Sequence, residues 1–174
     1  MGNSAKKEIH FLVQGLNGAG KTSIINQLKK EGIEGTVEEI GNMGVSFKQK
    51  KTKYILLEIN DNIKEALIKQ LYGKIIDGLI FVVDASDKGS IDESSKAFQK
   101  MIAEEDWKDC PILVYANKLD KNDCFTPKEV IEKLGTDQLK DKTFTFQGAN
   151  CTTEEGVGGV KSGFEWIISM IAKK

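Results

Sequence analysis

The chain has 174 residues, a formal net charge of −1 and 29% charged residues. This length favours one domain with a substantial core, and the balanced charge gives no indication of a nucleic-acid-binding protein. The chain contains no apolar run long enough to span a bilayer and no signal-peptide core near its start. Its three cysteines are scattered and lack metal-ligand spacing, which predicts reduced thiols in a cytoplasmic protein. The single histidine, His10, falls within a predicted strand, so histidine-based catalysis is excluded.

Residues 1–7 form a short polar segment ahead of a single predicted domain that covers residues 8–174. The first residues resemble an N-myristoylation signal, but Lys6 stands where that signal has serine or threonine. Acylation of Gly2 therefore stays open. One acyl chain binds a membrane only marginally, and Lys6 and Lys7 would add modest help. We expect a cytoplasmic protein that is peripheral on a membrane only if Gly2 is myristoylated.

Residues 15–22 read GLNGAGKT and match the phosphate-binding loop pattern G-x-x-x-x-G-K-[ST] at every fixed position. Glycines let the backbone bring its N–H groups close to phosphate oxygens, and the N-terminus of a following helix favours the same anion. Lys21 supplies positive charge for the outer phosphates, and the hydroxyl of Thr22 can ligate Mg²⁺. The pattern therefore predicts a nucleotide-binding loop.

The elements on both sides support this interpretation. Residues 9–13 are apolar and rich in strand formers, and residues 22–31 place three apolar side chains on one helical face. A glycine-rich turn with a chance Lys-Thr pair is the alternative, and both flanks argue against it.

The next part of the chain, residues 34–44, is predicted to be irregular. Residues 45–49 and 54–59 are predicted to form a hairpin, and the lysines at its tip are more simply a solvated turn than a patch for lipid or an acidic partner. A helix is predicted over residues 63–76. The second half begins with residues 79–84, an apolar run typical of a central parallel strand.

Alternating helices and strands complete the chain. Ser90 and Thr126 each begin a capping-box pattern that predicts the start of a helix. The predicted elements are helices over residues 91–105, 127–134 and 164–172, a strand over residues 111–116, and a last strand beginning at residue 144. This alternation predicts an α/β fold with a mostly parallel, doubly wound sheet of six strands, one of them antiparallel, and about five helices.

Residues 117–120 follow a predicted buried strand and read Asn-Lys-Leu-Asp. A carboxylate that faces the edge of the base can accept hydrogen bonds from the ring N–H and the exocyclic amine of guanine, and adenine lacks both donors at that edge. Sites that bind a substrate through such groups reject analogues lacking them by factors of roughly 10⁴–10⁵. Asp120, combined with the phosphate-binding loop, therefore predicts specificity for guanine.

Over nearly its whole length the chain resembles small GTPases of the Arf/Arf-like family. The similar segments are residues 15–22, 78–84, 116–120 and 163–166. The resemblance implies a P-loop NTPase small G domain that binds GTP or GDP with Mg²⁺. The residues it assigns to the nucleotide are Asn17, Gly18, Ala19, Gly20, Lys21, Thr22, Ser23, Asn117, Lys118, Asp120, Cys151 and Thr152.

The positions that would sense the γ-phosphate depart from the family pattern. Without gaps, the family's switch I threonine falls on Glu39, although an alignment displaced by a few residues would leave Thr36 in that role. A carboxylate about 4 Å from a phosphate charge is repelled by roughly 4 kcal/mol at an effective dielectric constant near 20. Coordination of Mg²⁺ by Glu39 would offset part of this cost.

The family's D-x-x-G-Q motif reads Glu58-Ile59-Asn60-Asp61-Asn62. Glu58 remains a candidate Mg²⁺ ligand through water, and Asp61 replaces the glycine that senses the γ-phosphate. Asn62 replaces the glutamine that orients the attacking water, so the catalytic candidates are Lys21 and this degenerate Asn62. Because positioning and electrostatics carry most of phosphoryl-transfer catalysis, we expect slow hydrolysis of GTP.

The resemblance implies a guanine-nucleotide-dependent switch in membrane traffic, and the departures from the family pattern predict that switch I and switch II are weakened. Effectors, exchange factors and GTPase-activating proteins are expected to bind through residues 34–72. The alternative is an adaptor locked to GDP that does not switch. A P-loop kinase for a small metabolite is disfavoured because the chain offers very little that could form an arginine-rich lid.

Overall fold

A computed structural model describes residues 8–30, 38–60 and 65–173. The strands are β1 (Glu8–Gln14), β2 (Glu38–Ile40), β3 (Gly44–Gln49), β4 (Thr52–Glu58), β5 (Gly78–Asp84), β6 (Ile112–Asn117) and β7 (Phe144–Gly148). The helices are α1 (Lys21–Lys30), α2 (Glu65–Tyr72), α3 (Ile91–Ile102), α4 (Pro127–Leu134) and α5 (Glu154–Ala172), with 3₁₀ turns at residues 73–75, 88–90, 105–107 and 136–139. No helix in these ranges is both long and apolar enough to cross a bilayer.

The strands form one sheet in the order β2-β3-β4-β1-β5-β6-β7. β3 is antiparallel to both of its neighbours, and the pairings from β4 to β7 are parallel. This confirms the predicted doubly wound α/β fold, the antiparallel strand and the helices on both faces. The prediction of six strands omitted β2, which lies in the segment predicted to be irregular. Its three residues include two glutamates, and so short a strand gives no readable alternation.

Two apolar cores lie on opposite faces of the sheet. One contains Ile68 of α2, Phe98 of α3 and Val130 of α4, and the other contains Ile24 of α1 and Phe164 of α5. Residues 79–83 of β5 are buried and alternate between the two cores, which is why this strand reads as a continuous apolar run.

Helix α5 begins ten residues before the predicted start. Its first half carries several glycines, and these weaken the helical pattern in the sequence. One of them brings the helix close to the sheet, since a Cβ at Gly159 would lie 2.1 Å from the carbonyl oxygen of Gly148. Thr153 caps the helix by accepting a hydrogen bond from the N–H of Gly156.

The two predicted capping boxes differ in outcome. The Thr126 side chain accepts from the N–H of Glu129, as predicted. Ser90 does not cap α3; its hydroxyl donates instead to the carbonyl of Asp87, since the preceding residues already form a 3₁₀ turn.

Two predicted helix boundaries also differ from the structure. Helix α3 ends at Ile102 rather than near residue 105. The helix predicted over residues 63–76 appears as α2 and a 3₁₀ turn, with residues 63 and 64 outside the described ranges.

Candidate functional site

The site lies where β1, β5 and β6 end side by side, at the carboxyl edge of the sheet. The loop with the phosphate-binding pattern follows β1, and the register places Asp84 of β5 opposite Asn117 of β6. A cavity of about 390 Å³ opens between this loop, Glu58 and Lys118. Open α/β sheets bind ligands at this edge, so the fold brings together segments that are distant in sequence.

Two side chains donate hydrogen bonds to backbone carbonyl oxygens of the phosphate-binding loop. The ammonium of Lys21 donates to the carbonyl of Gly15 at 2.7 Å and of Leu16 at 3.2 Å. The amide of Asn117 donates to the carbonyl of Ala19 at 2.9 Å. These bonds fix the path of the loop's backbone, and a loop of this kind can present backbone N–H groups to an anion.

Both the backbone conformation and the neighbouring side chain favour glycine at position 20. Its φ is +102°, which favours glycine, and a Cβ would lie 2.2 Å from the amide nitrogen of Asn117. The loop and the first residue of the guanine motif therefore pack in direct contact. This contact places the phosphate-binding and base-binding segments in one site.

Lys118 forms a second link between the same segments. Its ammonium donates to the carbonyl of Gly18 and lies 3.0 Å from Oδ2 of Asp84. Desolvation alone would raise the pKa of Asp84, but hydrogen bonds from Ser86 and Lys118 outweigh it and lower the pKa of this carboxyl group below its ordinary value. Asp84 is therefore ionised at neutral pH.

The guanine side of the site is more open. Asp120 is exposed in the turn after β6. Cys151 follows β7, and its thiol donates to the carbonyl of Ser23 at 3.5 Å, so this loop contacts the start of α1. Burial raises the pKa of the Cys151 thiol, which keeps it protonated at neutral pH.

Sequence reasoning missed Asn150. This residue is buried, and its side-chain oxygen accepts from the backbone N–H and the hydroxyl of both Thr152 and Thr153. It thereby fixes the loop that carries Cys151 and Thr152. An asparagine followed by polar residues between a strand and a helix is a recognisable turn signal that could have identified it.

Oxygen donors suited to Mg²⁺ meet at the other end of the cavity. The hydroxyl of Thr22 donates to both carboxylate oxygens of Glu58, at 3.1 and 3.3 Å. Within the described residues, no group of three or more His, Cys, Asp or Glu side chains could hold a metal by itself. The donor set therefore fits a hard cation that shares its coordination with phosphate oxygens, as Mg²⁺ does.

Glu39 lies at the edge of this arrangement. It is 68% exposed and pairs with Lys29 of α1 at 3.6 Å. A second cavity of about 440 Å³ is lined by Glu39 together with Thr22 and Glu58. That Glu39 ligates a metal stays a prediction. Thr36, Asp61 and Asn62 lie outside the described residues.

A buried polar atom in the site also fits a bound ligand. Asn117 is 3% exposed. Its Oδ1 has no hydrogen-bond partner among the described residues. Buried acceptors are nearly always paired in folded proteins, so this one suits a site that its ligand completes.

Comparison with known families agrees with this geometry. The family model described as the ADP-ribosylation factor family matches residues 1–171. The match covers every segment of the site, including the described part of the chain between α1 and α2.

Proposed function

The chain belongs to the ADP-ribosylation factor family, and we propose that it acts as a nucleotide-dependent regulatory switch in membrane traffic. As a member of this family it is a small GTPase that binds GTP and GDP. We further propose that its switch I and switch II are weakened and that it hydrolyses GTP slowly. The observation that carries the proposal is the pair of contacts from Asn117 and Lys118 to the phosphate-binding loop. They join the guanine motif and the phosphate-binding segment into one nucleotide site.

Each part of the site has a task in nucleotide binding. The backbone N–H groups of the loop bind phosphate, and Lys21 supplies positive charge beside it. Asp120 would accept hydrogen bonds from guanine, and by the family resemblance Lys118 would pack its stem on the base. Thr22 and Glu58 would hold Mg²⁺, which neutralises charge on the phosphate oxygens when it is bound.

Weak switching is supported by the residues that depart from the family pattern. Glu39 adds negative charge to a cavity that it shares with Thr22 and Glu58, and this disfavours a further phosphate charge there. Asp61 adds another negative charge where the family has glycine, and Asn62 is one methylene shorter than the glutamine that orients water. These three differences from the family pattern leave unchanged the groups that bind the base and the inner phosphates.

The direct test is to identify the nucleotide that co-purifies with the protein and to titrate the protein with GDP and GTP, with and without Mg²⁺. We expect tight binding of GDP, little preference for GTP, and single-turnover hydrolysis well below the family's ordinary intrinsic rate. Hydrolysis at that ordinary rate would contradict the weakened switch. Failure to bind GDP would contradict the whole proposal.

The second candidate is an adaptor that holds GDP permanently, and the three substitutions at residues 39, 61 and 62 are what favour it. Hydrogen exchange over residues 34–72 separates the two candidates. A switch should change its exchange there when GDP is replaced by a non-hydrolysable GTP analogue, whereas a locked adaptor should not. Partner binding through this segment, and weak membrane association through an acylated Gly2, remain part of the proposal.

A further inference from the structure

Asp84 lies outside the loop and the guanine motif, yet it contacts a residue that joins them. Its Oδ2 is 3.0 Å from the ammonium of Lys118, and the two side chains are 16% and 27% exposed. The same ammonium donates to the carbonyl of Gly18. Lys118 therefore stands between a carboxylate on β5 and the phosphate-binding loop.

The carboxylate of Asp84 is itself held in place. Its Oδ1 accepts from both the backbone N–H and the hydroxyl of Ser86. The backbone on either side is fixed as well, since the N–H of Ala85 donates to the carbonyl of Asn117 at 3.0 Å. With one oxygen anchored by Ser86, the other presents a fixed negative charge to Lys118.

Lys118 needs such a restraint because its side chain is long. A lysine ammonium sits on a flexible stem and is strongly hydrated, so it readily turns toward solvent. Its backbone lies at φ 63°, a left-handed conformation that is uncommon for residues other than glycine. Only with the ammonium directed back toward the loop can it bind the carbonyl of Gly18.

We propose that Asp84 is a positioning residue for nucleotide retention, which keeps Lys118 on the carbonyl of Gly18 and so slows the release of guanine nucleotide. Asp84 acts through Lys118 and does not read the base. Its loss should therefore speed the release of GDP without changing the preference for GDP over ADP. The inference rests on the proposed function, since it specifies how the same site keeps its ligand.

A double-mutant cycle on GDP release tests this directly. Release of a fluorescent GDP analogue is measured for the wild type, Asp84→Asn, Lys118→Met and the double variant. We expect Asp84→Asn to speed release about 10-fold, the scale of one partly shielded, charge-assisted hydrogen bond. The double variant should release GDP no faster than Lys118→Met alone, because Asp84 then has nothing left to position.

The control is Asp87→Asn, a substitution of a nearby exposed carboxylate that should leave the release rate within about 2-fold of wild type. Asp84→Ser repeats the test with a smaller neutral side chain, so that a folding defect of either variant leaves the other decisive. A release rate unchanged in the Asp84 variants, or effects of Asp84→Asn and Lys118→Met that simply multiply, would overturn the role of Asp84. Failure of the wild type to bind GDP in the same assay would instead overturn the proposed function.

Discussion

The base-and-phosphate region (residues 15–23, 84, 117–120 and 150–152) and the switch region (residues 34–72) are built in different ways. In the former, buried side chains hold backbone groups from several segments, as Asn117 holds Ala19 and Asn150 holds the loop after β7. In the described part of the latter, Glu38 and Glu39 sit on a three-residue edge strand, and each pairs with one lysine while about two-thirds exposed. This difference supports the proposal that γ-phosphate sensing is weakened while nucleotide binding is kept.

The largest expected effect is in the base-and-phosphate region. Asp120→Ala removes the acceptor for two donors on guanine, so the preference for GDP over ADP should fall by a factor on the order of 10³. Titration of both nucleotides by calorimetry measures this. Asp123→Ala, which alters another exposed carboxylate in the same loop, should leave the preference intact. A strong preference for GDP in Asp120→Ala would show that another group reads the base.

The tight packing of the same region predicts a large effect at Gly20. Gly20→Ala places a Cβ against the amide of Asn117 on a backbone at φ +102°, and we expect a loss of unfolding free energy of about 2–4 kcal/mol. The matched control is Gly158→Ala in α5, where a Cβ would meet nothing within 4 Å; this change should stabilise by about 0.4–1 kcal/mol. Urea unfolding compares the two, and equal effects would contradict the tight contact.

The sequence predicts the base-and-phosphate region better than it predicts the switch region. The strands that carry the site are long and apolar on both faces, and the loop pattern has fixed positions, so β1, β5, β6 and the segments after them could be predicted. The role of Asp84 could not be assigned, because Lys118 reaches it only once β5 and β6 pair in the folded sheet. Asn150 was missed, although its partners Thr152 and Thr153 are local and its turn pattern could have identified it. β2 was missed because its pairing with β3, rather than its own composition, makes it a strand.

A smaller effect is expected in the switch region. Glu39→Thr removes a negative charge that we propose repels the third phosphate, and because Glu39 is 68% exposed, solvent should reduce this repulsion well below its buried value. We expect the affinity for GTP relative to GDP to rise about 10-fold. Glu38→Thr is the matched control, since Glu38 is 66% exposed on the same strand and pairs with Lys53. An equal rise in both variants would show that the effect is not specific to position 39.

The smallest expected effect is a pH dependence of the unfolding free energy, which arises from Asp84 of β5 and its contact with Lys118. The pKa of Asp84 is lowered in the folded protein from its ordinary value of 3.8 because hydrogen bonds from Ser86 and Lys118 outweigh desolvation. A group with a depressed folded pKa contributes stability that is full above its unfolded pKa and is lost as the pH falls through the folded pKa. Asp84→Asn should therefore lower the unfolding free energy by about 1 kcal/mol at pH 7, and the difference from wild type should shrink as the pH drops below 3.8. Urea unfolding across this range measures it, with Asp87→Asn as the control that should show no such trend. A difference that stays constant into acid would mean that the ionised carboxylate of Asp84 gains nothing from its hydrogen bonds with Ser86 and Lys118.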